Sequence, residues 1–136
     1  MALKYNSTQR REYLTMLDTV AQHWLRLFDD DTEFYSAVYW DLLTQLWKEN
    51  KPIRRTDATR FMKSVKSATT AGKYIDEAIQ RGFIQESHNP QDARSKLVTL
   101  SPDMREQLDA FFDEAIDEVR QANETIRQKG PVPELS

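Results

Sequence analysis

Apolar residues recur at three- and four-residue steps along most of the chain, and that spacing predicts a helical protein. Leu14, Leu17, Ala21, Trp24 and Phe28 form one stripe, which predicts a first helix over 7–28. Asp29, Asp30 and Asp31 end it, and Asp31 or Thr32 can cap the next helix. A second helix is predicted over 33–50, apolar around most of its circumference, until Pro52 stops it. Ile53, Arg54 and Arg55 read as a short edge strand. Thr56 then caps a helix over 57–65, with Ala58, Phe61, Met62 and Val65 on one side. Ser67 caps the next, whose inward residues are Ala71, Ile75, Ala78 and Ile79. Gly82 supplies the left-handed residue past its end.

The pattern then changes. Residues 83–87 and 96–100 read as a hairpin joined by a polar tip over 88–95. Ser101, Pro102 and Asp103 open a last helix that can run to about Gln128, since a cap, a proline at the first helical position and an early acid all favour a helix start. The fold class is therefore mostly α with a small β-wing: a winged helix-turn-helix with long N- and C-terminal dimerisation helices. We divide a single domain, 1–136, into N-terminal helices (7–50), the winged helix-turn-helix (53–100), a C-terminal dimerisation helix (101–129) and a tail (130–136).

Composition fits that of a folded, soluble domain, with 39% hydrophobic and 30% charged residues in 136. No apolar run approaches the roughly 20 residues that span a bilayer, and the N-terminus carries no secretory apolar stretch. The absence of cysteine rules out disulfides and thiolate chemistry, and a cytoplasmic location is expected. The three glycines form no phosphate-cradling loop, and neither His23 nor His88 has a triad or metal-ligand set around it in the sequence. No enzyme activity, cofactor or metal is expected.

Charge changes the picture by its distribution. The net value is −3, yet nine basic residues face four acids between Lys48 and Arg81, a local balance of about +5. Acids outnumber bases eight to four from Asp103 to Lys129. A polar-faced helix followed directly by a charged hairpin is the order of parts that places one helix in a DNA major groove and a wing beside it. With Ile75 pointing inward, Thr69, Thr70 and Lys73 face outward in the N-terminal half of the helix, where side chains approach base edges. Ser67, at the cap, stands with them as a DNA-binding candidate. Arg94 at the wing tip can enter a minor groove, braced by Asp92 two residues earlier. Arg55, Lys66 and Lys96 are candidate phosphate contacts. Asp76 and Glu77 would repel phosphate and must lie where the helix leaves the groove. Gly72 permits either close approach to DNA or close packing against the helix over 57–65.

The stretches 67–75, 81–84 and 89–101 resemble the MarR family of winged-helix transcriptional regulators. The most specific match is the wing, in which Asp92 precedes Arg94 by two and Val98, Thr99 and Leu100 lead into a helix. The resemblance is clear over about 53–105. It implies a homodimer formed mainly by the terminal helices, which recognises a pseudo-palindrome in double-stranded DNA. In many members a small aromatic effector releases the DNA. The chain departs from the family at Asp103, Met104 and Arg105, where a glycine is common, and it ends soon after Gly130, where members carry a further helix.

The residues give their own reason to expect a dimer. Leu108, Phe112, Ala115, Val119, Ala122 and Ile126 are spaced 4, 3, 4, 3 and 4, a heptad-like seam, with Phe111 and Ile116 widening it. The alternative is that the chain's own first helix covers the whole stripe. The acids of this helix read as a solvated face. A rival reading is a winged helix that binds protein instead of DNA, suggested by the acidic balance and the aromatics Tyr5, Tyr13, Phe34 and Tyr35.

Overall fold

The computed structural model describes residues 2–130. The described residues divide into two compact units, one of residues 31–109 and the other of residues 2–30 with 110–130. Expectations for the tail beyond Gly130 fall outside the described residues.

The unit of residues 31–109 opens on a 3-10 turn, Thr32–Phe34, capped by the Asp31 carboxylate, which accepts from the Glu33 N–H at 3.0 Å. Helix α2, Ala37–Glu49, follows. The expected helix over 33–50 is thus broken. Ser36 is extended, and its hydroxyl accepts from the Tyr39 N–H, so it caps a new helix. The break lets Phe34 turn fully inward, with its ring 4.7 Å from that of Tyr39 and 5.1 Å from that of Phe83. Phe34 is therefore a core residue, which removes it from the aromatics that suggested a protein partner. Asn50 closes α2 in the left-handed region, at φ 53°.

Strand β1, Ile53–Arg54, leads straight into α3, Arg55–Ala58, and a 3-10 turn, Thr59–Phe61. The expected helix over 57–65 is cut short. The Thr59 hydroxyl bonds back to the Thr56 carbonyl at 2.6 Å, and Met62 leaves helical geometry to bury its side chain. Helix α4, Ala68–Gln80, follows and packs on Ala71, Ile75 and Ala78, all buried as their spacing predicts. Gly82, at φ +80°, makes the turn out of it.

Strands β2, Ile84–His88, and β3, Lys96–Leu100, form the hairpin. The sheet order is β1-β3-β2, antiparallel throughout, so the expected edge strand does pair with the wing. Ile53 and Glu86 lie on either side of Val98. Helix α5, Pro102–Lys129, begins in this unit. The Ser101 hydroxyl accepts from the Met104 N–H at 3.1 Å, capping it as predicted. Leu42, Leu43, Ile75, Val98 and Leu108 are among the residues closed to solvent. Losing such a side chain to alanine costs about 2–5 kcal/mol, so these residues hold the unit together.

The other unit pairs α1, Ser7–Leu27, with the rest of α5. Asn6 and Gln9 form a reciprocal capping box at 2.8 and 2.9 Å. The buried Gln9 amide also donates to the Ile126 carbonyl at 2.9 Å, tying the start of α1 to the end of α5. Trp24 packs edge-on against Phe28 and Phe111. His23 lies 2.9 Å from a Glu114 oxygen and 3.8 Å from one of Glu118, neighbours the sequence did not reveal. Of the first-helix stripe, Trp24 and Phe28 are buried, while Leu14 and Leu17 remain exposed.

Candidate nucleic-acid interface

Helix α4 carries the candidate reading face in the 31–109 unit. The Ser67 hydroxyl accepts from the Thr70 N–H at 3.3 Å, and a side-chain cap of this kind fixes the first turn. Thr69, Thr70 and Lys73 then stand exposed on one side, opposite the buried Ala71, Ile75 and Ala78. An open cleft of about 710 Å³ runs between α4 and residues 55–60, lined in part by Arg55, Lys66, Ser67, Thr69 and Lys73. Thr70 lies outside the cleft lining. Arg60, counted in the basic segment but not singled out, also lines the cleft and is 80% exposed. Thr56 and Thr59 join it there. Thr56 is expected only as a helix cap and nothing marks Thr59 or Arg60; in the structure α3 begins one residue before Thr56 and gives way to a 3-10 turn at Thr59.

The wing carries the rest. The Asp92 carboxylate accepts from the Arg94 N–H at 3.0 Å and lies 3.6 Å from the Arg94 Nε, so the aspartate shapes the tip through the backbone as well as through charge. Asn89 closes the tip by donating to the Ser95 hydroxyl at 2.9 Å. Arg94 itself is 94% exposed, projecting its guanidinium into solvent. Lys96 sits at the loop end of the hairpin opposite His88, its Nζ 3.2 Å from the imidazole Nδ1.

Arg55 is placed differently from the other candidate cations. Its guanidinium donates to the Gly72 carbonyl at 3.1 Å and to Asp76 at 2.7 Å, both on α4, and to Glu86 on β2 at 3.0 Å. Asp76 thus has an internal cation as partner. Glu77 lies 3.9 Å from Arg81, which also engages Asp31 at 3.2 Å and sits over the Phe34 ring. A Cβ on Gly72 would meet only Arg55 Nη2, at an ordinary 3.6 Å, so tight helix packing does not explain this glycine.

No family model and no curated protein matches the chain. Solved structures do. The chain is similar to a MarR-family regulator, Sco3205 from Streptomyces coelicolor, solved in complex with DNA, at 23% identity and a TM-score of 0.54, covering 82% of this chain and 71% of that one. The fold is that of the MarR-family winged-helix regulators. The MarR-type fold is matched more closely in shape by the S. aureus MepR–DNA complex, with a TM-score of 0.63 at 17% identity over 88% of this chain and 90% of that one. A protein described as a probable transcriptional regulator from Pseudomonas aeruginosa has 28% identity and a TM-score of 0.52, covering 84% of this chain and 90% of that one.

The MarR-type fold also frames the residues expected at a dimer contact. Leu108 is closed to solvent within its own chain and offers no surface to a partner, a correction to the expected seam. Phe112, Ala115, Ala122 and Ile126 are half-buried, while Val119 and Ile116 are 51% and 57% exposed. Trp24 and Tyr39 belong to the cores of their units. Among the described residues, no cluster of three or more His, Asp or Glu side chains is arranged to hold a metal, and no helix is long and apolar enough to cross a membrane.

Proposed function

We propose that this chain is a sequence-specific DNA-binding transcriptional regulator that acts as a homodimer on a pseudo-palindromic operator. The observation that carries the reading is the exposed Thr69, Thr70 and Lys73 face of α4 beside a wing with an outstretched Arg94, in a fold whose solved relatives include DNA complexes. Threonine can donate, accept or offer a methyl to thymine, and lysine reads guanine or neutralises phosphate. Lys66 and Lys96 hold the phosphate backbone, Ser67 orders the helix start, and Asp92 keeps the tip of the wing in shape.

The dimer reading is supported by Leu14, Leu17, Ile116 and Val119, large apolar side chains that α1 and α5 leave exposed within one unit. Solvent-exposed apolar surface of this kind marks an interaction face, and a second copy supplies a matching one. Within the chain, Val119 of the stripe stays 51% exposed. Phe112, Ala115, Ala122 and Ile126 flank that face.

Selection of bound duplexes from a random DNA library tests the reading. Enrichment of an inverted repeat, with half-sites about one helical turn apart, is the expected result. A flat outcome with folded protein would direct attention to a protein partner instead.

A further inference from the structure

Arg55 was a natural candidate for a phosphate contact, but its surroundings give it a different task. Its three acceptors come from two elements of the reader: Gly72 and Asp76 on α4, and Glu86 on β2. Its backbone is fixed in turn by the sheet, because Arg54 immediately before it pairs with Leu97 of β3. The side chain is only 25% exposed. Two carboxylates surround one guanidinium, so the cluster carries a net negative charge and would repel a phosphate. A planar fork with several fixed donors can hold a helix carbonyl and two carboxylates at once, which a lysine ammonium cannot reproduce.

We propose that Arg55 is a positioning residue, which fixes the recognition helix against the wing and makes no contact with phosphate. The proposal rests on the DNA-binding reading above. The short α3 fits this task. Arg55 is the first residue of α3, directly after β1, and from there its side chain reaches both the helix and the wing. The Gly72 backbone carbonyl supplies the third acceptor from within α4.

The test is a salt series of dissociation constants for the full chain on its selected duplex, using wild type, Arg55→Gln, Arg55→Lys and Glu86→Gln, with thermal unfolding alongside. A positioning role predicts that both Arg55 variants lose about tenfold or more on the operator, the scale of a lost charge-assisted hydrogen bond. The slope of log affinity against log salt stays that of wild type. Glu86→Gln weakens operator binding too, and adding it to Arg55→Gln costs little more. A phosphate contact predicts the reverse: a slope lowered by about 0.9 in Arg55→Gln, kept in Arg55→Lys, and tighter binding in Glu86→Gln. That pattern overturns the proposal while leaving the DNA reading intact. If Arg55→Gln fails to fold, the direction of the Glu86→Gln effect decides alone. A folded wild type that binds no duplex overturns both.

Discussion

Gly130 packs so closely on Gln9 that a methyl group at Gly130 would lie 2.3 Å from the Gln9 amide carbon and nitrogen. A flexible side chain can move aside, so steric overlap by itself is a small cost. Moving the amide, however, breaks its bonds to the Asn6 N–H and the Ile126 carbonyl. Gly130→Ala should therefore destabilise the protein by about 1–2 kcal/mol, and Gln9→Ala by a similar amount. Thermal unfolding of both single variants and the double variant checks this. The effects should not add, because each removes the same pair of bonds.

Thr70→Ala and Lys73→Ala should each weaken operator binding by about 1–3 kcal/mol and relax preference at one or two base pairs, with little change in stability. Unchanged affinity for both would remove the helix from base recognition. Arg94→Ala should weaken binding most where the flanks are A·T-rich, since a narrow minor groove concentrates negative potential. Equal losses on G·C-rich flanks would reassign Arg94 to plain phosphate contact.

Val119→Glu or Leu14→Glu should convert the proposed dimer to monomer at micromolar concentration. Each change places two carboxylates in a two-fold interface, and burying an unpaired charge costs several kcal/mol. Sedimentation equilibrium provides the measurement, and far-UV circular dichroism confirms that the helices persist. A dimer that survives both changes must use another face.

Tyr39 gives the protein an alkaline limit. Burial raises its phenol pKa above the ordinary 10.0, and Glu33, Glu77 and Tyr74 add to the rise while Arg81 opposes it. The folded state therefore keeps the proton that the unfolded chain releases. Stability is whole below about pH 10 and falls above it, by up to about 1.4 kcal/mol per pH unit for this group. Urea unfolding between pH 8 and 11 should show the decline, made shallower by Tyr39→Phe. The phenyl replacement should be mild at neutral pH, because the hydroxyl reaches the Tyr74 carbonyl only at 3.5 Å.

The helix α4, the hairpin and the start of α5 were legible because their signals are local: a 3.6-residue apolar period, Ser67 and Ser101 as caps, Gly82 as terminator and an alternating strand. The start of α2 was not, since a continuous apolar run hides the extended Ser36 that divides it and turns Phe34 inward. The helix over 57–65 failed because Met62 gains more from burial than a helix of that length gains from its own bonds. The Asn6–Gln9 box went unread at the start of the first helix, and its tie to Ile126 joins residues 117 positions apart, beyond the reach of any local pattern. Arg55 illustrates the same limit in the site. Its charge was plain, whereas the two carboxylates that occupy it lie 21 and 31 residues away.

Those distant partners set a rule for anyone transplanting specificity between regulators of this shape. Exchanging residues 68–80 alone would bring in a foreign neighbour for Arg55 in place of Asp76, and the incoming helix would settle at a new angle to the wing. The transferable unit is a cassette in which Arg55, Gly72, Asp76 and Glu86 travel together.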